Sequence, residues 1–180
     1  SAGKIEQRHP AGNVESLQAA IDNGADSVYF GVDQLNMRAR ASINFTIADL
    51  DEIARRCAPK GIRTYLTLNT IIYDHDLSII KTLLDAAKKA GLTAVIAMDQ
   101  AVIAYARQIG MEVHISTQIN ITNIETVRFY AMFADTMVMS RELSLRQIKK
   151  ICEQIEKEQI KGPSGNLVEI EIFGHGALCM

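Results

Sequence analysis

The sequence predicts an α/β protein of the (β/α)8, TIM-barrel-like class, with about seven βα units and therefore an incomplete barrel. Three observations carry this expectation. Short apolar runs alternate with amphipathic stretches of helical length throughout the 180 residues, the mark of repeated βα units and a parallel sheet. No G-x-G-x-x-G or Walker-type glycine loop follows any run, which removes the usual doubly wound nucleotide-binding readings. Several runs also alternate polar with apolar residues, whereas strands of an open α/β sheet are covered on both faces and read as continuous apolar runs. A full barrel has eight strands and about 250 residues. Residues 1–180 are thus expected to form one partial barrel domain that lacks its closing unit.

The elements follow in order. A weak first strand is expected over 4–8, leading into the loop Arg8-His9-Pro10-Ala11-Gly12-Asn13. Stronger runs lie at 27–31 (SVYFG), 63–69 (RTYLTLN), 93–98 (TAVIAM), 112–116 (EVHIS), 136–140 (TMVMS) and 167–173 (LVEIEIF). Between them are helices with recognisable starts. Asn13 precedes VESLQAAIDN, in which Leu17, Ala20 and Ile21 are at helical spacing. Thr46 with Asp49, Thr122 with Glu125 and Ser144 with Gln147 each place a hydroxyl at the N-cap and an acid or amide three residues on, the capping-box arrangement. Gly24, Gly61, Gly91 and Gly110 each end a helix just before a strand.

Alternation inside the strands assigns their faces. In RTYLTLN, Leu66 and Leu68 are expected to face the helices, leaving Tyr65, Thr67 and Asn69 inside. In EVHIS, Val113 and Ile115 face the helices and His114 and Ser116 do not. In LVEIEIF, Val168, Ile170 and Ile172 oppose Glu169 and Glu171. A barrel with a polar interior fits; an edge strand with a wet face is the alternative for the last run.

Composition narrows the function classes. Hydrophobic residues make up 48% and charged residues 22%, with a formal net charge of −2, so no basic excess marks nucleic-acid binding by electrostatics alone. The apolar runs are far too short to cross a bilayer, and no charged-then-apolar segment opens the chain. Cys57, Cys152 and Cys179 are odd in number and widely spaced, which argues against a disulfide framework and for a reducing cytoplasm.

In a barrel the chemistry is expected on the loops after the strands. Those loops carry Asn13, Asn36, Arg38, Arg40, Asn69, Asp74, Asp76, Asp99, Gln118, Asn120, Arg141, Glu142 and His175. Each has a structural alternative: Asn13, Asp74, Asp76 and Asp99 as helix caps, Arg141 with Glu142 as a surface pair. Their collective placement at one end is the stronger signal. No H-E-x-x-H metallopeptidase motif is present. His114, Glu169, Glu171 and His175 are a candidate set of N and O ligands for a divalent metal, and two stacked glutamates raise each other's pKa if both point inward. His114 and Ser116 lie about 7 Å apart along one strand, too far for a direct hydrogen bond.

The run E-I-F-G-H-G-A-L-C at 171–179 resembles the signature of peptidase family U32. So do P-A-G-N at 10–13, G-A-D-S-V-Y-F-G at 24–31, N-M-R-A-R at 36–40, L-N-T at 68–70, Y-D at 73–74, S-T-Q-x-N at 116–120 and S-R-E-L-S at 140–144. Gly174 departs from the family's larger apolar residue, and Gln7-Arg8-His9 from its usual apolar run. The resemblance implies a TIM-barrel-like fold, a chain that ends inside the signature, and a further C-terminal part of the family that is absent here. It implies a collagenase-like peptidase, with His175, Glu169 and Glu171 as catalytic candidates at the C-terminal mouth. Substrate-binding candidates are Asn13, Arg38, Asn69, Gln118, Asn120 and Arg141. Other members of the family imply an alternative, oxygen-independent hydroxylation of RNA or a quinone precursor with a [4Fe–4S] cluster. Cys179 matches its first ligand, although four thiolates are normally needed. No cofactor is therefore expected in this fragment, and a cluster only in a longer parent chain. A third reading is an inactive truncated barrel. Peptide or RNA is the expected substrate, no membrane is involved, and unclosed sheet edges invite a homo-oligomer.

Overall fold

In the computed structural model, residues 8–32, 45–68, 71–117, 123–139, 144–172 and 176–177 are described. Seven parallel strands stand side by side in chain order: β1 (Arg8–Pro10), β2 (Ser27–Phe30), β3 (Arg63–Leu68), β4 (Ala94–Ala97), β5 (Val113–Thr117), β6 (Thr136–Met139) and β7 (Glu169–Ile172). A two-residue β8 (Gly176–Ala177) turns back antiparallel on β7. Among the described residues β1 and β8 end the sheet, which curls into a half-barrel. This is the incomplete (β/α)8 architecture expected from the sequence.

Among the described residues six α-helices cross between the strands: α1 (Val14–Asp22), α2 (Leu50–Cys57), α3 (Leu77–Ala90), α4 (Gln100–Gln108), α5 (Ile124–Tyr130) and α6 (Leu145–Glu158). Their starts are set by short polar side chains that satisfy first-turn N–H groups. Asn13 accepts from Ser16 N at 2.7 Å, Asp99 from Ala101 N at 2.7 Å and Ser144 from Gln147 N at 3.2 Å. Gly61 and Gly91 hold φ of 68° and 85°, left-handed values that a Cβ opposes. Gly61 closes the 3-10 turn Ala58–Lys60 behind α2, and Gly91 closes α3.

The two faces of the sheet segregate as the alternation predicts. Val28, Phe30, Leu66, Leu68, Val95, Ala97, Val113, Ile115, Met137, Met139, Val168 and Ile170 join one core with the helices. Into it α3 inserts Ile80, Leu83, Leu84 and Ala87, and α6 inserts Ile148, Ile151 and Ile155. Each fully buried leucine or isoleucine stabilises the fold by about 1.5–3 kcal/mol. On the opposite, inner face Tyr65, Ala94 and Ile96 pack together, with Tyr29 against them.

Three expectations are corrected, and a fourth falls mostly outside the described residues. Of the strand expected over 4–8 only Arg8 lies among the described residues, where it opens β1 (Arg8–Pro10); Pro10 is tolerated because β1 pairs only with β2 among the described residues and lies at a sheet end. The cap of α5 is Asn123, not Thr122: Asn123 Oδ1 accepts from Thr126 N at 2.9 Å. The last parallel strand begins at Glu169 rather than 167, because residues 161–167 fold back on themselves through an antiparallel Lys161–Leu167 bridge. Cys152 is disulfide-bonded, so the expectation of reduced thiols does not extend to it; Cys57 is a buried free thiol.

Candidate active site

The inner face is polar at both ends of the strands and apolar between. At the N-terminal ends lies a cavity of about 250 Å³. Its exposed rim is formed by Arg63, Glu112, Ser164, Asn166, Leu167 and Glu169, and its buried floor by Tyr65, His114, Thr136 and Glu171. Register explains the convergence. Ile96 on β4 pairs with His114 on β5, His114 with Thr136 on β6, and Thr136 with Glu169 on β7. The rings of Tyr65 and His114 meet across the intervening strand, 5.0 Å apart and tilted by 42°. The small Ala94, paired with Tyr65 on that strand, leaves them room. His114 Nε2 also lies 3.6 Å from Glu112 Oε2.

Glu169 and Glu171 share the inner face, as alternation required, but not the mouth. Glu169 is the first residue of β7 and sits at the end away from the mouth. Glu171 is one pleat further along and only 3% exposed. In (β/α)8 barrels residues at this lower end serve stability, and chemistry sits at the opposite, C-terminal ends. The cavity is therefore a charged floor beneath the barrel, and Glu171 is the member that reaches toward the mouth.

Toward the mouth the inner face turns polar again. Thr67 and Ser116 project there, each two residues beyond Tyr65 or His114 on its strand, and Ser116 pairs with Val138 in register. Thr67 Oγ1 is buried without a hydrogen-bond partner among the described residues. Such a group is normally satisfied by protein or by ordered water.

The candidates divide as follows. Asn13 caps α1, at the end of the sheet where β1 finishes, and its Oδ1 is engaged by Ser16 N. Asp74 and Asp76 form a 3-10 turn before α3, in which Asp76 accepts from Tyr73 N. Asp99 caps α4. These structural readings hold. Arg38, Asn69, Gln118, Asn120, Arg141, His175 and Cys179 lie outside the described residues. His114, Glu169 and Glu171 do line one cavity, yet among the described residues no group of three His, Cys, Asp or Glu side chains is placed to hold a metal ion. Sequence reasoning missed Glu112 and Asp135 as partners in that cavity; Glu112 on the face of His114, two residues before it, was the available signal.

A [4Fe–4S] cluster normally takes four thiolates. This chain has three cysteines, of which Cys57 is buried in α2 and Cys152 is disulfide-bonded.

Fold and inner face thus define a TIM-barrel-like α/β protein with a polar interior. Comparison makes the assignment specific: the chain belongs to peptidase family U32, whose model matches residues 12–180. It is 54% identical over 171 residues to a collagenase of Porphyromonas gingivalis, covering 95% of this chain and 41% of that protein. It is 31% identical over 180 residues to a tRNA hydroxylation protein of Bacillus subtilis, covering 98% of this chain and 40% of that one. A solved U32 peptidase superposes with a TM-score of 0.70 at 12% identity, over 96% of this chain and 70% of that structure. The chain spans about two fifths of the length of these curated relatives. No helix among the described residues is long and apolar enough to cross a membrane.

Proposed function

We propose that the protein to which this chain belongs is a collagenase-like peptidase that hydrolyses peptide bonds at the C-terminal mouth of the barrel. The observation that carries this reading is the 54% identity to a collagenase, against 31% to the tRNA hydroxylation protein over nearly the same residues. The unsatisfied Thr67 Oγ1 beneath the mouth supports a polar group bound there.

In this reading His175 takes a proton from the attacking water and returns it to the leaving amine as the C–N bond breaks. Glu171, buried on the inner face, orients that histidine or stabilises its charged form. Glu169, at the far end of the strand, holds the floor. Arg38, Asn69, Gln118, Asn120 and Arg141, on the loops expected after the strands, bind the peptide, while Asn13, which caps α1, shapes the loop after β1.

The test is turnover of a collagen-derived peptide by the full-length protein beside its His175→Ala and Glu171→Gln variants. Turnover lost in His175→Ala supports the reading. Absence of turnover in the unmodified protein, together with about four irons per chain that disappear in Cys179→Ala, overturns it in favour of RNA hydroxylation.

A further inference from the structure

The segment after β3 carries more exposed ring and apolar surface than its fold requires. Tyr73 is extended, at φ −100° and ψ 163°, and in extended chain neighbouring side chains point to opposite sides. Ile72 turns inward and packs against the helix-side core. Ile71 and Tyr73 turn outward and are 69% and 59% exposed. A single exposed apolar residue is ordinary; here two stand on one side of one loop.

The loop is held in this shape. Tyr73 N donates to Asp76 Oδ2 at 3.0 Å, and Asp76 N donates to Tyr73 O at 2.8 Å. These reciprocal bonds close a 3-10 turn (Asp74–Asp76) ahead of α3. The turn brings the His75 ring parallel to that of Tyr73, with centroids 5.8 Å apart and planes within 3°. His75 is 80% exposed and its Nε2 lies 3.4 Å from Asp76 Oδ1. Two parallel rings and an isoleucine are thereby turned toward solvent on a loop at the C-terminal ends of the strands, the catalytic end of this fold.

We propose that Ile71, Tyr73 and His75 form a docking subsite for the proline and aromatic side chains of an extended polypeptide substrate. This rests on the peptidase reading and deepens it. Flat rings recognise other rings and the faces of proline, and proline-rich segments dock on aromatic surfaces because they are already extended. Nucleobases stack on aromatic side chains as well, but charge decides between them. Asp74 and Asp76 flank the platform, and with neutral histidine the segment carries two negative charges and no positive one. A phosphodiester backbone is repelled there; an uncharged proline-rich peptide is not.

The experiment uses the full-length protein and fluorescence anisotropy. Three labelled probes are compared: a proline-rich peptide, an equally long alanine–serine peptide, and a short single-stranded RNA. Tyr73→Ala is expected to weaken the proline-rich peptide by about tenfold and to leave the alanine–serine peptide unchanged, while Tyr73→Phe, which keeps the ring, retains binding. Circular dichroism confirms that the variants fold. An equal loss for both peptides, or no loss, overturns the subsite while leaving the peptidase reading intact. Binding of RNA that depends on Tyr73 overturns the choice of polypeptide. If the unmodified protein neither binds nor cleaves either peptide, the peptidase reading fails and the subsite with it.

Discussion

The carboxylate of Asp135 accepts two hydrogen bonds from Ser164, one from its backbone N–H at 3.1 Å and one from its hydroxyl at 2.7 Å. These bonds bind the turn 161–167 to the end of β6. The turn also closes on itself, with Gly162 N donating to Asn166 O and Gly165 N to Gly162 O, each at 3.0 Å. From there Val168 N reaches Ile160 O, Glu169 N reaches Asp135 O at 2.8 Å, and β7 begins. The clamp fixes which residues of the last parallel strand face inward.

Gly162 is the tightest point of that clamp. A Cβ there would meet Asp135 Oδ1 at 2.3 Å, Asp135 Cα at 2.8 Å and Ala134 O at 3.0 Å. Two of these are backbone atoms that cannot swing aside. Gly162→Ala is therefore expected to cost about 1–3 kcal/mol, the range for overpacking. Asp135→Ala, which leaves the exposed Ser164 to water, is expected to cost about 1 kcal/mol. Urea unfolding of the two variants measures this. A Gly162→Ala protein as stable as its parent would show that the turn is not held against β6.

Cys57 gives a second prediction. Its side chain is fully buried at the end of α2, and that burial pushes the thiol above its ordinary pKa of 9.0, with the neighbouring Arg56 guanidinium opposing weakly. The sign follows from proton binding. As pH rises past about 9 the unfolded chain loses this proton first, so it binds fewer protons than the folded one and stability falls with pH. Below that pH the group contributes no pH dependence. The neutral thiol is also a poor nucleophile. Iodoacetamide at pH 8, read by peptide mass mapping, should leave Cys57 unmodified in the folded protein and alkylate it in urea. Rapid alkylation without urea would show that the end of α2 opens readily.

Much of this fold is legible in the sequence because its signals are local. Alternation in RTYLTLN sorts Leu66 and Leu68 from Tyr65, and the structure keeps them on opposite faces. Ser144 with Gln147 marks the first turn of α6 three residues apart. What sequence could not supply is non-local. The contact of Tyr65 with His114 passes over Ala94 on a third strand. The level of Glu169 and Glu171 depends on where β7 starts, and that is set by Asp135 and Gly162. Alternation told which face the two glutamates occupy but not which end of the barrel they approach.

The N-terminus of α5 separates two sequence-level readings and so makes a sharp test. Thr122 and Asn123 are adjacent, and both residue types are favoured N-caps. The structure chooses Asn123: it is extended at φ −149° and ψ 161°, and its Oδ1 accepts from both Thr126 N at 2.9 Å and Thr126 Oγ1 at 3.2 Å. The helix behind it has seven residues and buries Val127 and Tyr130. An isolated helix that short is not stable in water, so its cap and its packing must hold it. Asn123→Ala is expected to destabilise the protein by about 1 kcal/mol, with Asn123→Ser recovering most of the loss because a hydroxyl also accepts from the first turn. Thr122→Ala should cost less than either. Chemical unfolding of the three variants side by side decides the matter: if Thr122→Ala carries the larger loss, the helix starts one residue earlier, and the capping box of Thr122 with Glu125 is the true terminus.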